Sequence, residues 1–270
     1  MKKHVETHLG GLTVYTDRED WEKVAEMLVD VAEEMSIPLP RALYYGPTDY
    51  TRLLAPGDFS DRHLTRRGVA SPLEYWHRDE MVLLFWRLGE KPLGRIKAML
   101  AHELVHHSDN VEGLNITSYA LPCIYGCVED FTSACVTFFK VCLDCFRNAS
   151  VNSRLPGRYR ELCVEDIMEQ AREATRDAAR TRDDIQRGLA RFYTVILTSS
   201  LLPFQDVEQE AGQLLKSTLS ESSALEGLSL FIRGRVERIH GRKPSIAAEE
   251  SYIRTLKPLL CSILKQIFHQ

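Results

Sequence analysis

The most specific chemistry in the chain belongs to five residues, His102-Glu103-Leu104-Val105-His106, an HExxH pattern. Residues four apart on a helix stand one turn apart on the same face. Two imidazoles so placed can aim ring nitrogens at one divalent ion, and zinc takes neutral imidazole nitrogen at about 2.0–2.1 Å. Glu103, next to the first imidazole, is placed to take a proton from a water on the ion rather than to ligate it. Zinc lowers the pKa of such a water toward about 7 and polarises a carbonyl as a Lewis acid. The carboxylate can then hand the proton to a departing amine. The expected reaction is hydrolysis of a peptide bond, with Glu103 catalytic, Zn2+ as cofactor and a peptide or protein as substrate. With nine His in 270 residues, the pattern arises by chance in only about a couple of chains per hundred. Its value therefore depends on the elements around it.

Those elements begin with a short strand at residues 12–15. Thr16 with Glu19 three residues on is a capping pattern. Trp21, Val24, Ala25, Leu28, Ala32 and Met35 recur at helical spacing, which predicts an amphipathic helix over 17–35, ended by Pro38 and Pro40. Residues 41–45 read as a second strand. Residues 46–79 carry Pro47, Pro56, Gly57, Gly68 and Pro72 and read as a long irregular loop. Met81 to Leu88 is nearly all apolar, so it reads as a strand buried on both faces. Pro92 opens the next helix, where its missing N–H costs nothing. That helix carries the HExxH residues to about His107. Ala101, Leu104 and Val105 are expected to pack it while the His face looks outward. A second long helix is expected over 120–148, and helical pattern continues over 159–199, 205–239 and 245 to the end. Strands and helices first, then helices alone, predict an α+β fold. The domain reading is a metal-binding unit over 1–157 and a helical region over 158–270.

The bulk numbers exclude several classes. A net charge of −4 gives no global attraction to nucleic acid or anionic lipid, so neither partner is expected. Glu129, Asp130, Lys140 and Asp144 interrupt the longest apolar region, so no membrane span is expected. The N-terminus shows no secretory pattern, which predicts a soluble cytoplasmic protein. The odd count of seven Cys argues against a secreted disulfide scaffold.

A catalytic zinc has three protein ligands and one open position. Asp109, seven residues after His102, shares the His face and can ligate the ion or orient a histidine ligand through its carboxylate. His107 lies about 100° off that face and reads as a surface residue. Asp144 interrupts an apolar helix and needs a partner there, which a metal would supply. Asp130 lies fourteen residues before it, on roughly the same face.

The order of strands and helices leading into HELVH resembles the zincin metallopeptidases, especially the small gluzincin-like ones, over about residues 12–150. The resemblance implies a sheet over the HExxH helix whose edge strand lines the substrate cleft. Met81–Leu88 would be such a strand, pairing with extended substrate. It also implies a third zinc ligand from a Glu on the following helix, which nominates Glu129. The family's accompanying Asp falls at Ser133 here. Asp144 and Asp130 remain alternates.

Other features have plainer readings. The five Cys between Cys123 and Cys145 include a CxxC at Cys142 and Cys145 but no second pair, so they read as small core residues. The basic stretch 233–243 reads as a solvated helix end. The mixed-charge run 172–187 reads as one exposed helix with ion pairs. An alternative to the peptidase is a non-catalytic metal-binding regulatory module, and a further one is a helical regulatory protein without metal.

Overall fold

The computed structural model describes residues 5–9, 11–46, 73–76, 80–85, 87–113, 132–219, 223–243 and 245–268. Strand β1 (Val5–Leu9) turns through Gly11, at φ 90°, into β2 (Leu12–Thr16), its antiparallel neighbour. Along β2 the inward side chains Leu12, Val14 and Thr16 are buried, the period-two pattern of a strand. Helix α1 (Trp21–Met35) buries Val24, Ala25, Leu28, Val31 and Ala32 on one stripe. It leads to β3 (Ala42–Tyr45), which runs parallel to β2. Strands β4 (Leu73–Trp76) and β5 (Met81–Leu84) complete a five-stranded sheet in the order β1-β2-β3-β5-β4. The three central strands are parallel, and β1 and β4 are antiparallel edges.

Three expectations need correction here. The stretch 46–79 is not all irregular, because β4 lies within it; pairing of Trp76 with Met81 and Leu73 with Leu84 outweighs its weak local signal. Residues 47–72 fall outside the described residues. Next, the strand expected over 81–88 ends at Leu84; β5 is buried throughout its four residues, but it sits between β3 and β4. Its backbone is committed on both sides, so it cannot pair with an extended substrate. Finally, Thr16 does not cap α1. Its hydroxyl donates to the carbonyl of Tyr45 at 2.6 Å and accepts from the Arg18 amide, joining β2 to β3.

Arg18 locks the carboxyl ends of the parallel strands. One terminal nitrogen, Nη2, donates to the carbonyls of Gly46 at 2.8 Å and Phe85 at 2.7 Å. The guanidinium lies 4.4 Å from the Tyr45 ring centre, and the Tyr45 hydroxyl donates to Asp20. Helix α2 (Leu93–Val111) follows, packing against α1 and β4.

The remaining described elements are helices: α3 (Thr132–Arg154), α4 (Gly157–Arg180), α5 (Asp184–Leu201), α6 (Glu208–Leu219), α7 (Ser223–Ile239) and α8 (Ile246–Phe268). The fold is α+β. The expected run 159–199 is two helices, because Thr181 turns extended and the Asp183 side chain caps α5 by accepting from the Gln186 amide at 2.8 Å. The charge run 172–187 is thereby split. Within it Arg172 reaches across to Glu210 on α6 through two bonds of 2.6 and 2.7 Å.

The chain divides into two compact units, Met1–Gly113 and Leu114–Gln270. The division precedes α3 instead of falling at residue 157. The reason is the packing of α3 on α4, α5, α7 and α8. Phe146 of α3 stacks on Tyr252 of α8 at 4.1 Å between ring centres, inside a core that includes Phe192, Ile232 and Leu256. None of the helices among the described residues is long and apolar enough to cross a membrane.

Candidate metal centre

Pro92 flanks the start of helix α2 as its N-cap, and its carbonyl accepts from the amides of Arg95 and Ile96. Proline suits this start because its φ is already helical and no amide is lost. From Leu100 to Val105 every residue is buried. Six consecutive helical positions cover all faces, so this stretch is enclosed on every side. The outward-looking His face is therefore a correction: His102 is 8% exposed and Glu103 7%, while His106 is half-buried. The composition accounts for it, since Glu103 is the only charged residue between Ala98 and Val105.

The two imidazoles converge. Nε2 of His106 lies 3.2 Å from Nε2 of His102, with ring centres 4.9 Å apart and planes at 68°. Two ligands at about 2.0–2.1 Å from a tetrahedral zinc are separated by about 3.3 Å. The nitrogen pair thus has the spacing that one ion requires. The same pair can share a single proton in the metal-free protein, so neither ring nitrogen need be buried unsatisfied. This donor set fits zinc.

His107 is not a surface residue. It is 1% exposed, and the backbone of Leu39 and Pro38, in the segment after α1, acts on its ring. Burial pushes its pKa below the ordinary imidazole value, against the opposing pull of Glu80 and that backbone. A 100° turn away from the His102–His106 face points it at another part of the same unit, which residue type alone does not disclose.

Asp109 is buried on α2 at 7% exposure. Among the described residues no third His, Cys, Asp or Glu completes a three-donor cluster with the two imidazoles. Glu129 and Asp130 lie outside the described residues; Asp144 is on α3, but its side chain lies outside them too. Cys142 and Cys145 are buried in the apolar core, as their reading predicted. Cys123 and Cys127 fall outside the described residues.

Comparison with protein-family models, with curated proteins and with solved structures found no match.

Proposed function

We propose that the chain is a zinc-dependent metallopeptidase of the zincin kind, with the ion on His102 and His106. The observation that carries this reading is the 3.2 Å approach of the two Nε2 atoms on a buried helix. The order of elements supports it, since a parallel-centred sheet with an antiparallel edge precedes that helix in the same compact unit.

A zinc ion there supplies a Lewis acid and an acidified water. Glu103 takes the proton from the attacking water and returns it to the leaving amine. Its burial removes competing solvent from that transfer. The strand that ends the sheet beside α2 is β4, so β4 replaces β5 as the backbone along which an extended peptide would lie.

Glu103→Gln should keep its zinc and lose hydrolysis of a quenched-fluorescent peptide library by at least about 100-fold. Normal turnover by that variant would end the proposal. The sequence nominates Glu129, Asp130 and Asp144 as third ligand; the zinc content of Glu129→Gln, Asp130→Asn and Asp144→Asn selects among them.

A second reading, a non-catalytic metal-binding regulatory module, draws on one observation. His102 and Glu103 are 8% and 7% exposed, which leaves little surface for a substrate. Zinc retained by a wild-type chain that cleaves nothing in the library would select it.

A further inference from the structure

We infer that His107 is a positioning residue for the zinc site, fixing the last turns of α2 and with them the imidazole of His106. This assignment rests on the zinc reading proposed above. With the ion on His102 and His106, His107 stands about 100° round the helix from it and acts only through its neighbour.

Packing along α2 is uneven. Residues 100–105 are buried without a break, and His102 and Glu103 lie within that stretch. His106 lies beyond it. From His106 to Asn110 only His107 and Asp109 are buried, and Val111 is exposed. The helix is then capped at Glu112, with Gly113 left-handed at φ 76°. One imidazole thus stands on an enclosed stretch and the other near a helix end, where backbone order is lost first. Successive residues turn by 100° about the axis, so His107 lies about 100° to one side of His106 and Asp109 about 60° to the other. Asp109 shares the His102 face and is itself a candidate for the ion. His107 is the anchor that stays clear of it.

The place where His107 is seated belongs to the frame of the sheet. The backbone of Pro38 and Leu39 and the charge of Glu80 act on its ring. Both segments lead straight into parallel strands: Leu39 precedes β3, which begins at Ala42, and Glu80 directly precedes β5, which begins at Met81. The Ala42 amide donates to the Glu80 carbonyl at 3.2 Å, and the Thr13 amide donates to the Arg41 carbonyl at 3.1 Å. The entry ends of β2, β3 and β5 are therefore tied together beside the ring. Turning or fraying the end of α2 would unseat a buried polar side chain, which is costly. His106 is thereby referred to the sheet, and a metal ligand needs a position held to within about 0.5 Å.

Two measurements on the full chain test this: zinc affinity by competition with a chromophoric chelator, and amide exchange without metal. His107→Ala should bind zinc at least about tenfold more weakly, the usual cost of losing a side chain that orients a ligand. Without metal, its amides at 108–111 should exchange faster than in wild type, while those at 100–105 stay unchanged. His107→Gln keeps a polar group at similar reach and should recover part of the affinity. It carries the same comparison with wild type if His107→Ala does not fold. Val14→Ala opens a cavity at a fully buried position of β2 and lowers the stability of the same unit. It should leave the zinc affinity of the folded chain within about twofold of wild type. Wild-type affinity in both His107 variants overturns the assignment while the zinc reading stands. So does an equal loss in Val14→Ala, which marks general loosening, or unchanged exchange at 108–111. A wild-type chain that binds no zinc overturns the zinc reading first, and the assignment with it.

Discussion

Tyr252 shows how a polar atom is kept in the second unit's core. Its ring lies between Phe146 and Phe231, and its hydroxyl donates to the Cys142 carbonyl at 3.0 Å. Burial raises its pKa well above the usual phenol value. Tyr252→Phe keeps both stacks and loses one hydrogen bond, so urea unfolding at neutral pH should show a loss of about 1 kcal/mol. The pH sign follows from the proton. The unfolded phenol ionises near pH 10, and the folded one holds its proton to higher pH. Its contribution is therefore complete below about pH 10 and is lost as pH rises beyond it. Wild type should weaken more than Tyr252→Phe between about pH 8 and 10.5; equal weakening would contradict the assignment. Legibility at this scale follows how local the geometry is. His102 and His106 could be paired from sequence because one helical turn sets their spacing. The burial of His107 could not, because it depends on Pro38 and Leu39 of a distant segment.

At the scale of elements, ends are decided by single residues. Helix α1 stops in a Schellman arrangement. The amide of Ser36 donates to Glu33 and that of Ile37 to Ala32, with Ser36 itself left-handed at φ 54°. Glycine adopts that conformation without a Cβ penalty, so Ser36→Gly should raise stability by about 0.5–1 kcal/mol in urea unfolding. A destabilised variant would show that the hydroxyl matters more than the backbone. The helix periods of α1 and the apolar run of β5 were readable from composition. Strand β4 was not, since it gains its order from pairing with β5. The α4–α5 break had a signal that periodicity hid, the Asp183 cap within a helical charge pattern.

At the scale of the molecule, the helix that carries His102 and His106 belongs to the first unit and the helical core to the second. Each unit has its own buried core, so zinc should act locally. Hydrogen exchange with and without a chelator should show added protection on α2 and its neighbour α1, and on whichever segment gives the third carboxylate. Uniform protection over α4 to α8 would contradict a local site. The plan of sheet then helices was legible because the hydrophobic period changes along the chain. The boundary at residue 113 was not, because α3 joins the second unit through long-range contacts such as Phe146 with Tyr252. The central claim is that two imidazoles on α2 hold one ion. Zinc measured per chain after purification tests it most directly. The account predicts one equivalent in the wild type and about none in His102→Ala/His106→Ala. A metal-free wild type, or a double variant that keeps its zinc, would contradict it.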